Sequence, residues 1–339
     1  MTWLDLQNRI NLLVEVGKKW VSNGIPENIV LKAKAANPWF DEVSINKSAT
    51  SIAKQYLSES QLTEWISNYQ FTNQTPKQIG LILAGNIPFV GIHDLISVFI
   101  SGHIALYKPS ERDTVLIDYF IESIIHQSEK SRAYFQKVSR LTDYDAVIAT
   151  GSNTSAKSFE KYFSTVPNII RRNRNGIAVV YKDSTAESMQ SLTTDMLGYY
   201  GLGCRSVSKI YMEEGIEHGK IFEAMESQKE IIHHNKYMNN YDYSYALYLL
   251  NDEEFYTNDY FIMRPHDTIT SRIACAHYEY FDSAQGLEES LDSLSDQIQC
   301  IVSDRPLGEL AIVPFGKSQE PSLSDYADRV DTLDFLSSI

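Results

Sequence analysis

The run IGLILAGNIP (79–88) is almost wholly apolar until it closes on Gly, Asn and Pro. A short continuous apolar run bounded by turn residues is what a strand buried on both faces requires. Residues 89–101 then follow a helical pattern, and HIALYKP (103–109) repeats the buried-strand pattern. The alternation continues with a helix over 113–126, a strand at DAVIATG (145–151), a helix over 154–163 and a strand at GIAVVYK (176–182). Strands and helices alternating at these lengths predict a parallel, doubly wound α/β sheet.

Upstream of this run, the first 75 residues read as helices. Leu4, Ile10, Leu13 and Val16 fall near helical spacing, and 41–56 and 61–69 look similar. Downstream, 187–200 reads as a helix ending in GYYGLGC. RSVSKIYM (205–212), YALYLL (245–250), ITSRIACAHYEYF (269–281) and IQCIVS (298–303) look strand-like, with a helix over 287–297. The second half is therefore also α/β. A boundary near 172–176 is expected, giving one domain over 1–173, to which roughly 304–339 returns, and a second over 174–303. No linker, repeat or low-complexity tract interrupts the chain.

At 339 residues the chain exceeds what one core usually serves, so two domains are expected. Hydrophobic residues at 43% and charged residues at 22% place it among ordinary globular proteins. The net charge of −14 repels nucleic-acid backbones and anionic lipid, so nucleic acid is not an expected partner. It does not exclude a nucleotide cofactor, which needs only a local pocket. MTWLDLQNRINLL (1–13) lacks the long apolar run of a signal peptide, and no stretch is long and apolar enough to span a membrane. Three cysteines, Cys204, Cys275 and Cys300, are too few and too odd for a disulfide framework, which predicts a reducing, cytoplasmic setting.

Cys204 lies in Gly-Leu-Gly-Cys-Arg-Ser between a helix and a strand. Glycines at 201 and 203 permit a sharp turn that leaves the thiol open. A thiolate there is a nucleophile that a helix terminus or a nearby cation would activate; the alternative is a small buried hydrophobe. Cys275 and Cys300 stand in apolar strand patterns and read as core. The GLG sequence is not a dinucleotide fingerprint, because the third glycine position is Ser206 and a helix precedes it. Three loops follow three successive strands. Asn86, after the first, has an amide suited to an oxyanion, or forms a turn. Lys108, Ser110 and Glu111, after the second, suit the hydroxyls of a ribose, or a solvated loop. Gly151 and Ser152, after the third, open a helix whose N-terminus suits a phosphate, or serve only as its cap. The eight histidines show no zinc spacing. The tyrosine-rich stretch 237–248 suits either an acyl pocket or a core.

An Asn-x-Pro turn, a Lys-Pro-Ser-Glu loop, a Thr-Gly-Ser loop and a Gly-x-Gly-Cys turn occur in this order between 79 and 211. The chain thereby resembles the aldehyde dehydrogenase superfamily, and within it the acyl-CoA reductase family of LuxC type. The likeness continues more loosely through Asn235-Lys236-Tyr237 and Pro314-Phe315-Gly316. The resemblance implies an aldehyde-dehydrogenase-like fold: a nucleotide-binding domain with a helical N-terminal region, and a catalytic domain carrying Cys204. It implies Cys204 as nucleophile and Asn86, with the Cys204 N–H, as oxyanion donors. It implies Lys108, Ser110 and Glu111 at the adenosine ribose, and Gly151 and Ser152 at the pyrophosphate.

The chain departs from the superfamily where hydrolytic members carry a glutamate base. Here Ile170-Arg171-Arg172-Asn173-Arg174-Asn175-Gly176 contains no acid. A second glutamate segment has no match near 271–275, and no oligomerisation hairpin precedes Gln78, which argues against the superfamily's usual oligomer, though a homo-oligomer of another kind stays compatible with the sequence. Without the base, water is not readily activated against a thioester. The expected activity is reduction of an acyl-CoA or other acyl thioester to an aldehyde through a Cys204 thioester. NADPH is the expected cofactor, NADH the alternative, and an acyl-transferring protein a compatible partner. The competing readings are a CoA-independent aldehyde dehydrogenase and a non-catalytic relative of the same fold.

Overall fold

The computed structural model describes residues 3–71 and 75–339. The chain forms two compact units, residues 1–173 with 320–339, and residues 174–319. The first begins with four helices, α1 (Leu6–Asn23), α2 (Glu27–Ala36), α3 (Glu42–Gln55) and α4 (Glu59–Ile66). The helical reading of the first 75 residues holds here; its positions 1–2 and 72–74 lie outside the described residues. There follow β1 (Gln78–Ile82), α5 (Ile92–Ser101), β2 (Ile104–Lys108), α6 (Thr114–Ile125), β3 (Phe135–Lys137), β4 (Ala146–Thr150), α7 (Asn153–Tyr162) and β5 (Asn168–Arg171).

The five strands form a parallel sheet in the order β3-β2-β1-β4-β5. Alternate residues of each strand serve opposite faces. Ile79, Leu81, Ala105, Tyr107, Ala146 and Ile148 join the larger core with α1, α5 and α6. Leu106, Val147 and Ala149 join a smaller one with Phe163. Both faces are covered, which explains the unbroken apolar runs. The central strands were legible for that reason. β3 and β5 were not, because edge strands are short and half exposed: β3 buries only Phe135, and β5 alternates.

The second unit contains β6 (Asn175–Val180), α8 (Ala186–Leu197), β7 (Val207–Glu213), α9 (His218–Met225), α10 (Asn235–Leu250), β8 (Tyr256–Thr257), β9 (Ile262–Pro265), β10 (Cys275–Phe281), α11 (Ala284–Ser293), β11 (Ile298–Ser303) and β12 (Ile312–Val313). Its sheet runs β12-β11-β6-β7-β10-β9-β8, parallel except for the β8–β9 pair. The segment 245–250, expected as a strand, is the end of α10. Its short apolar and aromatic run reads as strand-like, but Tyr237, Tyr241, Ser244 and Tyr248 are the buried residues of the helix. That is helical spacing, while Tyr243 and Leu250 face solvent.

The chain rejoins the first unit at Glu320 and ends in α12 (Thr332–Ser337), which packs on α5. The crossing comes later than the expected 304 because β12 pairs with β11 and the Asp195 carboxylate holds the Gly316 and Ser318 amides. Among the described residues no helix is long and apolar enough to cross a membrane.

Candidate active site

Cys204 enters the structure through a strained turn. α8 ends at Leu197, and Tyr199, Tyr200 and Gly201 then take φ of 50°, 60° and 73°. Two successive non-glycine residues in the left-handed region cost on the order of 1–3 kcal/mol each and persist only where the surroundings hold them. Here the Tyr200 ring packs at a 30° tilt with its centroid 4.0 Å from that of His234, whose imidazole caps α10 by accepting the Tyr237 N–H. Beyond the strained residues, the Ser206 N–H donates to the Gly203 carbonyl at 3.0 Å. The Ser206 hydroxyl accepts from the Gly203 N–H and from Gln319 Nε2, each at 3.2 Å. Cys204 sits inside this clamp and is solvent-exposed, whereas Cys275 and Cys300 are buried.

The amino end of the sheet shapes the same turn. Gly176, at the start of β6, pairs with Ser206 through its N–H. A Cβ at Gly176 would lie 2.5 Å from the Arg205 carbonyl oxygen, so only glycine allows the 204–206 backbone to approach. Asp195, fully buried near the end of α8, accepts the Gly316 N–H at 2.6 Å and the Ser318 N–H at 2.9 Å. It thereby carries Gln319 to Ser206. No helix begins at Cys204. α8 reaches it by its carboxyl end, whose partial charge is negative, so α8 does not supply the helix-terminus activation considered from sequence.

In the first unit the sheet order reverses about β1, between β2 and β4, and ligands of such sheets bind outside the carboxyl ends at that point. The three loops singled out in sequence lie at these ends. Asn86 is half-buried in the turn after β1. Lys108 and Glu111 are exposed after β2. Ser110 is turned inward instead: its hydroxyl accepts the Arg112 N–H at 3.3 Å, and its Cβ abuts the backbone of Gly85. Gly151 packs under α7, where a Cβ would meet Ser155 and Phe159 at 2.9 Å. Ser152 caps α7 by accepting the Ser155 N–H at 3.2 Å. An ammonium, a carboxylate and a helix N-terminus around one switch point fit the ribose hydroxyls and phosphates of a dinucleotide.

The segment 170–176, which carries no acid, holds structural arginines. Arg171 is buried, with Nη1 2.6 Å from each Asp94 oxygen and Nη2 2.9 Å from Thr332 Oγ1. Arg172 pairs with Glu160. Among the described residues no group of three His, Cys, Asp or Glu is placed to hold a metal ion.

A family model described as acyl-CoA reductase (LuxC) matches residues 4–233, which span the first unit's sheet and helices α1 to α7 and reach past Cys204. The chain belongs to the LuxC acyl-CoA reductase family. Solved structures agree on the fold. Aldehyde dehydrogenase 21 from Physcomitrella patens, solved with succinate, superposes with a TM-score of 0.66 at 11% identity over 99% of this chain and 84% of its own. The glyceraldehyde-3-phosphate dehydrogenase GapN of Methanocaldococcus jannaschii, complexed with NADP, gives 0.62 at 13% identity over 88% and 76%. AldH of Staphylococcus aureus gives 0.58 at 15% over 91% and 81%. No curated protein matches by sequence. A LuxC-family chain on this fold is a nicotinamide-dependent oxidoreductase acting on aldehydes or acyl thioesters.

Sequence reasoning missed the residues that hold the cysteine: Gly176, Asp195, Ser206, His234 and Gln319. The sequence reads Ser206 only as a failed glycine of the GLG run, His234 as a surface or packing residue and Gly176 as the start of a strand.

Proposed function

We propose that the protein reduces an acyl-CoA to the aldehyde through a thioester on Cys204, with NADPH as reductant. The observation that carries this reading is the exposure of Cys204, in a clamped turn, while the other two cysteines are buried. The Cys204 sulfur bonds to the acyl carbon, and the carbonyl oxygen becomes an oxyanion that accepts hydrogen bonds from the Asn86 amide and the Cys204 N–H. The carbon–sulfur bond to CoA then breaks, and the CoA thiolate takes up the proton Cys204 has lost. Lys108 and Glu111 hold the adenosine ribose on the loop that Ser110 shapes, and the turn at Gly151 and Ser152 meets the pyrophosphate. When bound, the reduced nicotinamide supplies the hydride that brings the acyl group to the aldehyde level. Cys204 leaves as thiolate when the aldehyde departs.

The absence of a carboxylate from 170–176 supports reduction over hydrolysis, because nothing in that segment activates water against the thioester. Three cysteines without a disulfide support a reducing, cytoplasmic setting.

The test is consumption of NADPH, with NADH in parallel, across acyl-CoAs of increasing chain length, for wild type and Cys204→Ala. Consumption by the wild type alone is expected. Equal rates in both proteins would overturn the nucleophile. Wild-type activity only when an acyl-loaded protein replaces acyl-CoA would identify the donor as a partner.

A further inference from the structure

Asp113 is an aspartate at the N-cap of α6 that does not cap it. Asp5, Asp41 and Asp331 stand at the same position of α1, α3 and α12, and each accepts the expected helix N–H. The Asp113 side chain is turned elsewhere and is 1% exposed. Neither carboxyl oxygen makes a hydrogen bond of full geometry among the described residues. The donors that face it are the backbone amides of Phe89 and Val90, in the turn that carries Asn86. Burial pushes this carboxyl well above the usual carboxylate range, and the two amides only partly oppose that.

That turn is held at several points. Phe89 takes φ of 62°, a strained conformation for a bulky residue, while its ring packs 4.8 Å from Trp20. The Ser48 hydroxyl donates to the Pro88 carbonyl at 2.8 Å. At its start, a Cβ on Gly85 would lie 2.6 Å from Ser110 Cβ and 3.1 Å from Asp113 Cβ. The loop after β2 and the turn after β1 therefore touch at Gly85 and again at Phe89 and Val90, and Asp113 takes part in both contacts.

We infer that Asp113 is the positioning residue of the Asn86 turn, tying the 108–113 loop to the 85–90 turn and so holding the Asn86 amide in place; this rests on the oxyanion role proposed above. A buried carboxyl without a strong partner is costly, and here its shape and its facing amides brace a strained turn. The same tie links the loop proposed to carry the ribose to the proposed oxyanion donor.

The test uses Asp113→Ala, Asp113→Asn, Asn86→Ala and the Asn86→Ala/Asp113→Ala double variant. Asn86→Ala should lower kcat about 100-fold or more. Asp113→Ala should lower kcat about 10-fold with KM for acyl-CoA and NADPH nearly unchanged. Asp113→Asn, which keeps the shape and one acceptor, should recover most of the loss. The double variant should be no slower than Asn86→Ala, because both changes remove one function. Multiplying losses, or wild-type turnover in Asp113→Ala, would overturn the inference. Hydrogen exchange of the 85–92 segment reads the tie without any turnover, and should quicken in Asp113→Ala and, less, in Asp113→Asn. Unchanged exchange overturns the tie. Faster exchange with full turnover in Asn86→Ala keeps the tie and overturns the oxyanion reading instead.

Discussion

Removing Asp94 should cost the first unit a large part of its stability. Arg171 and Asp94 have side chains only 7% and 6% exposed, and Arg171 Nη1 lies 2.6 Å from both Asp94 oxygens. Asp94→Ala leaves the guanidinium buried with Thr332 Oγ1 as its remaining hydrogen-bond partner and with Nε already unsatisfied. Stranding one partner of such a pair costs about 3–5 kcal/mol. In a unit of about 150–250 residues each kcal/mol moves the midpoint by about 2–4 °C, so Tm should fall by about 6–20 °C. Because Thr332 begins α12, the C-terminal segment should loosen with it. Circular dichroism melts and urea titrations give the loss, and limited proteolysis shows whether α12 is released first. Arg171→Met should cost a similar amount. The paired Asp94→Leu/Arg171→Met change should recover most of it, since no charge is then stranded. A loss below about 1 kcal/mol for Asp94→Ala, or losses that simply add in the double variant, would refute the account.

Gly176→Ala forces the Arg205 carbonyl away from a Cβ that would lie 2.5 Å off, displacing the Cys204 turn. Turnover should fall about 100-fold with far-ultraviolet dichroism unchanged, and wild-type turnover would contradict the clamp. Burial lowers the His277 imidazole to about 4, so the unfolded chain binds more protons between pH about 4 and about 6.5. Stability should therefore rise with pH across that window, by at most about 1.4 kcal/mol per unit; a His277→Gln variant with the same slope would exclude this histidine as the cause. Iodoacetamide at neutral pH should label Cys204 first, since burial pushes the Cys275 thiol up to about 11 and Cys300 is also buried. Mass spectrometry finding Cys275 or Cys300 labelled first would argue against an accessible, reactive Cys204.

The sequence alone determined the alternation of strands and helices, the order of the motif loops and the singularity of Cys204. These are local properties. A strand buried on both faces must be apolar throughout, and a turn after it must carry Gly, Asn or Pro, so the pattern lies in neighbouring residues. β3 and β5 escaped because edge strands need no such run, and the end of α10 was misread because its short apolar and aromatic run resembles a strand while its burial follows helical spacing. What only the tertiary structure decided is which distant polar residues meet, around the catalytic candidates and in the core. Asp195 reaches Gly316, Gln319 reaches Ser206, Asp113 turns toward Phe89, and Arg171 meets Asp94 and Thr332. Each of these pairs joins distant stretches of chain. A carboxylate reads the same in sequence whether it faces water or a buried amide; only the packing that removes the water gives it one partner and makes that partner matter.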